Sequence, residues 1–166
     1  MQNDPEDERF KDVYAHAGLA LYWCQCFEKT LENILLLQAR LTNRRISLAD
    51  LDRYEGQIEA QALGRLLKDV RQQVTFDKRA ETTIADALSK RNFLVHRFFK
   101  ERAAVWYAPQ GTERLIAELE SIQTLLREAD TYASAISTRL GERLGLTTEI
   151  LQDALEKLRS EAEQQA

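Results

Sequence analysis

Residues 112–140 read TERLIAELESIQTLLREADTYASAISTRL, and within them Leu115, Leu119, Ile122, Leu126, Ala129, Ala133, Ile136 and Leu140 recur at alternating four- and three-residue steps. That spacing is the seam along which a helix packs into a bundle. Beyond it Gly145 can end the helix, and Thr147 can cap a last short one carrying Ile150, Leu151, Ala154, Leu155 and Leu158 on one side. Before it, Ala103 to Gly111, with Pro109, reads as a break. The preceding segment, Lys78 to Arg102, follows a plausible Asp77 N-cap and presents Ile84, Ala87, Leu88, Leu94, Val95 and Phe98 at helical spacing. Glu59 to Val74 repeats the pattern with Leu63, Leu66, Leu67 and Val70, and its Gly64 suggests close packing. Arg44 to Gln57 reads as a connector with one short helix opened by Ser47. From Glu6 to Arg40, residues Phe10, Tyr14, Ala17, Leu21, Cys24, Leu31, Leu35 and Ala39 mark one face of a long first helix.

The whole chain of 166 residues, with 6 Gly and 2 Pro, therefore reads as a single all-α domain spanning 1–166. A compact four- to five-helix bundle is expected, with a long first helix and a long penultimate one. The polar ends, 1–8 and 160–166, are expected to fray. Cys24 and Cys26 are two residues apart and point about 200° apart on a helix, so they read as small apolar residues rather than a disulfide. With only His16 and His96 and no second thiol pair, no metal and no cofactor is expected. Met1 to Arg9 is acidic and polar, unlike a secretory signal, and the longest wholly apolar run, Ile34 to Leu37, is far too short for a bilayer. A cytoplasmic protein without membrane partners is the expectation.

A net charge of −4 argues against a surface that coats nucleic acid non-specifically. Locally the balance reverses. Lys90, Arg91, Arg97, Lys100 and Arg102 face a single anion, Glu101, in the segment from Lys90 to Arg102, a local +4. These cations are either solvated helix charges or the attraction for an anionic ligand.

Two charges sit inside apolar stripes. With Arg91 at zero on a helical projection, Leu94 falls at about 300°, Phe98 at about 340°, Ile84 at about 20° and Val95 at about 40°. Glu28 has the same standing among Cys24, Leu35, Leu21 and Leu31. Opposite signs suggest that the two meet, either as an ion pair that fixes helix packing, as side chains reaching out to solvent, or as part of a site. Asn92 and His96 lie four residues apart on the edge beside Arg91, flanked by Ala85 and Ser89, whose small side chains leave room.

The run Ala87-Leu88-Ser89-Lys90-Arg91-Asn92-Phe93-Leu94-Val95-His96-Arg97-Phe98-Phe99 resembles the signature of the HEPN family, an Arg followed after four to six residues by a His, with a polar residue often next to the Arg. Gln25 and Glu28 resemble the Gln-x-x-Glu pattern of some relatives. Many HEPN proteins are metal-independent endoribonucleases of toxin–antitoxin, phage-defence or RNA-processing systems. The resemblance implies that Arg91 would stabilise charge on a phosphorane, His96 would move protons and Asn92 would orient the phosphate or the imidazole, with Glu28, Ser89 and Arg97 in support. It also implies a homodimer that supplies a second His96, RNA as substrate, and an antitoxin or defence-system protein as a possible partner. Other members of the fold are non-catalytic regulators or scaffolds, so the fold alone does not decide activity.

Overall fold

The structure, a computed structural model, describes residues 5–164, with side chains from Phe10 onward. Among them there is no strand. Seven α-helices run α1 (Pro5–Thr42), α2 (Leu48–Glu59), α3 (Leu63–Gln73), α4 (Lys78–His96), α5 (Phe98–Glu101), α6 (Gly111–Arg143) and α7 (Thr148–Gln164), with a 3-10 turn at Val105–Tyr107. The chain is all-α, with more helices than the sequence suggests. The helix expected over 78–102 breaks at Arg97, and the connector's short helix extends to Glu59, where Ile58 is buried. The expected fraying of 1–4 and 165–166 lies outside the described residues, whereas 5–8 and 160–164 continue their helices.

The core lies between α1 and α6, which run parallel. Gln123 Nε2 donates to the His16 carbonyl at 2.9 Å, and further along Thr30 Oγ1 donates to Asp130 at 2.6 Å. Every seam residue of α6 from Leu115 to Leu140 is buried. On α1 the buried set is Val13, Ala17, Ala20, Cys24, Phe27, Leu31, Ile34 and Leu35, while Tyr14 and Leu21 face solvent. The real stripe is thus rotated by about 50° from the one read in the sequence, which moves Glu28 from its middle to its rim.

α4 runs antiparallel to α1, since Phe99 just beyond its end meets Tyr14 near the start of α1, and Arg91 meets Glu28 further along. Its Ile84, Ala87 and Leu94 are buried with Phe98 of α5, but Val95 is exposed. Phe93, on the side the sequence left polar, is buried and meets Phe98 edge-on at 5.8 Å. Gly64 does not mark close packing, since a Cβ there would touch nothing within 4 Å. The glycine that needs to be one is Gly111, where a Cβ would fall 1.8 Å from the Val105 carbonyl oxygen, so the 3-10 turn can lie on the start of α6.

Candidate functional site

Local sequence puts the site residues on one stretch of α4. Asp77 accepts from the Ala80 N–H at 2.9 Å and starts the helix, and no Gly or Pro interrupts it until after His96. Arg91 reaches across to α1, its Nε donating to Glu28 Oε1 at 2.8 Å, with both side chains about a quarter exposed. This is the ion pair expected from the two strays, at the rim of the core rather than inside it. Arg91 Nη1 also donates to Asn92 Oδ1 at 3.3 Å. The carboxylate takes Nε and Asn92 takes Nη1, which leaves Nη2 as the donor not engaged within the chain. Cys24, one turn before Glu28, is buried, and burial first, then the Glu28 charge, push its thiol up to about 11, with Arg91 opposing. It stays a neutral thiol beside the pair.

His96 is the last residue of α4, exposed, and among the described residues no hydrogen bond or ion pair engages it. It follows Asn92 by one turn on the same open edge, at an axial distance of about 7.5 Å from Arg91. Ser89 is exposed on that edge and Val95 lies bare beside it. Arg97 is not directed to the Arg91 group. It sits at the break with its guanidinium 5.5 Å from the Phe93 ring and 3.4 Å from Glu101. His16 faces α6, Nδ1 4.0 Å from Glu120, and is no partner for His96 within one chain. The structure therefore brings Glu28, Arg91 and Asn92 together and leaves His96 and Ser89 open alongside.

The sequence missed the carboxylate that α6 brings to the basic segment. Arg102 is held by both oxygens of Glu118, each at 2.7 Å, and lies 5.0 Å from the Phe93 ring, which Lys90 also covers at 5.8 Å. With Glu28 and Glu118 counted against the five cations beside Glu101, the local balance falls from +4 to +2. The spacing of Lys90, Phe93 and Arg97 could have signalled a cation-covered ring. Arg102 and Glu118 are too far apart in sequence to be paired from it. Past His96, Phe10, Tyr14, Phe99 and Trp106 form an aromatic cluster, with centroids 5.1 to 6.2 Å apart, that clamps α5 and the 3-10 turn onto α1.

A cavity of about 650 Å³ lies at the far end of α1 and α6, away from Arg91, Asn92 and His96. Among the described residues no three His, Cys, Asp or Glu side chains are grouped so as to hold a metal ion, and no helix is long and apolar enough to cross a membrane. No family model, no curated protein and no solved structure matches the chain.

Proposed function

We propose that the chain is a metal-independent endoribonuclease with an HEPN-like bundle, acting as a cytoplasmic homodimer in a toxin or phage-defence role. The observation that carries this reading is Arg91 held by Glu28 and Asn92 on α4, one turn from an unengaged His96. In the reaction the RNA 2′-oxygen bonds to the adjacent phosphorus and the bond to the 5′-oxygen breaks. One imidazole takes the 2′-hydroxyl proton, and an imidazolium gives a proton to the leaving 5′-oxygen, leaving a 2′,3′-cyclic phosphate and a 5′-hydroxyl. The free end of Arg91 stabilises the charge that develops on the non-bridging oxygens, and Asn92 orients the phosphate. A single chain offers one such imidazole. A two-fold pairing of α4 edges, where Ser89 and Ala85 are small and Val95 is bare, would bring the partner subunit's His96 opposite and turn an open edge into a groove.

The test is to incubate total RNA in EDTA with wild type and with His96→Ala, and to analyse product ends. Cleavage to cyclic phosphate by wild type, with a loss of at least about a hundredfold in the variant, is expected. Cleavage that persists in His96→Ala, or that requires Mg²⁺, overturns the mechanism. A second reading, a non-catalytic HEPN-like dimer that regulates or scaffolds a protein partner, is favoured by the pairing of three of the five local cations with carboxylates. Absence of any cleavage by wild type would select it.

A further inference from the structure

Past His96 the chain carries more aromatic surface than its packing uses. Phe10, Tyr14, Phe99 and Trp106 are joined by ring contacts that hold α5 and the 3-10 turn on α1, which accounts for those four rings. Tyr107 is not accounted for. It is 89% exposed, and among the described residues it makes no ring contact. It nevertheless shares a cavity with the cluster: about 320 Å³ are enclosed by Tyr107, Tyr14, Phe99, Phe10, Trp106 and Ala103. All but one of these side chains are aromatic, and the exception, Ala103, is small enough to leave the space open. A second cavity of about 200 Å³ continues from Phe10, Trp106 and Tyr107 to Gln110. Gln110 stands at φ 55°, a left-handed conformation that is costly for a residue with a Cβ, and its side-chain amide has no partner among the described residues.

An opening walled by flat rings favours a flat, π-bonded group, which gains stacking in addition to buried area; an aliphatic side chain gains the area alone. The surrounding charge fits the same group. Phe99 is followed by Lys100, exposed and without a carboxylate partner among the described residues, and preceded by His96 and Arg97. Asp12 projects about 160° from Tyr14 around α1, away from the cavity, and Glu113 lines only the smaller opening.

The proposed reaction has a geometric requirement that such a site meets. The attacking 2′-oxygen must lie in line with the leaving 5′-oxygen, and a nucleotide stacked in an A-form helix does not hold it there. The nucleotide has to turn out of its stack, and its base then needs another surface to lie on. Phe99 follows His96 by three residues, about one helical turn.

We infer that the cavity between Tyr107, Tyr14 and Phe99 is a stacking site for an unpaired nucleobase of the strand held at His96, with the backbone phosphate on the Lys100 side. The inference rests on the ribonuclease reading for the course of the strand. Gln110 at the end of the smaller cavity offers an amide to the edge of the base.

The experiment measures binding instead of cleavage, so the two can fail separately. Full-length protein is titrated with short single strands of 2′-O-methyl RNA, which cannot form a cyclic phosphate, each carrying 2-aminopurine at one position. Stacking should quench the fluorescence of at least one position. Tyr107→Ala should weaken binding of that strand roughly five- to a hundredfold, and Tyr107→Trp, which keeps a ring there, should restore it. The same strand annealed to its complement should show neither effect. Tyr107 is exposed, so unchanged far-ultraviolet helicity is expected in both variants. Failure of every strand to bind, binding with no position quenched, or quenching that survives both Tyr107→Ala and Tyr14→Ala overturns the proposal. So does an assembly that sediments apart in Tyr107→Ala while quenching is unchanged, which would mean that a second copy covers the rings. Quenching that depends on Tyr107 in a protein that cleaves no RNA would uphold the base site and overturn the ribonuclease reading alone.

Discussion

At the residue scale, Glu28 and Arg91 form a pair that is neither buried nor free. Complete burial would make removal of one partner cost several kcal/mol, and full exposure would make it cost almost nothing. With about a quarter of each side chain exposed, Glu28→Ala is expected to cost about 1–2 kcal/mol, and less in an Arg91→Met background, where no cation is left uncompensated. Urea midpoints for the two single variants and the double variant measure this; a cycle with no coupling would mean that the pair contributes nothing. Glu28→Gln keeps a hydrogen-bond acceptor for Nε and should retain most of the stability. The pair was legible because each residue interrupts an apolar stripe with the opposite sign. Its depth was not, because the orientation of the α1 stripe depends on which neighbours cover it, and apolar Tyr14 and Leu21 on the open side pulled the inferred face toward Glu28.

At the element scale the contrast between α6 and α4 shows what sequence periodicity carries. α6 meets the core along one continuous seam, so spacing alone locates its eight buried apolar seam residues, though not the buried Gly111, Thr112, Gln123 and Gly141. The end of α4 is set by contacts from elsewhere: Phe98 enters the core, Phe99 turns to Trp106, and no Gly or Pro marks the break between them and His96. Arg102 and Glu118 fasten that break to α6. The hydrogen bonds from Arg102 hold the Glu118 carboxyl below its ordinary value, against the opposing effect of burial. Because folding lowers this pKa, the unfolded chain binds the extra proton first. The pair's contribution is complete above the unfolded value of about 4.3 and is lost as pH falls through the folded one. Wild type should therefore be more stable than Glu118→Gln at pH 7, with the gap narrowing steadily below about pH 4.5. Denaturant midpoints across that range decide it, and a constant gap would show that the bond does not couple to protonation.

At the scale of the whole molecule, the sequence supplied the residues of the candidate site but not its closure. α4 presents Arg91, Asn92 and His96 on an open edge, and proton transfer at two oxygens needs two groups where one chain has one. On the ribonuclease reading, one His96 from each chain serves each scissile phosphate, and this has a kinetic consequence that a self-sufficient chain would lack. When wild type is mixed with His96→Ala under conditions that let subunits exchange, mixed dimers form in statistical proportion. If every productive site needs both imidazoles, activity follows the square of the wild-type fraction, so an equal mixture retains about one quarter of the activity of the same total amount of wild type. If each chain acts alone, it retains about one half. Asn92→Ala serves as a second probe, since a residue needed only to orient the phosphate in one chain's half of the groove should leave the mixed dimer partly active. The mixing curve separates a shared site from two independent ones without any knowledge of the RNA sequence that is cut. A straight line for His96→Ala would mean that the open edge of α4 works without a second copy, and the proton donor would then have to be sought elsewhere on the same chain.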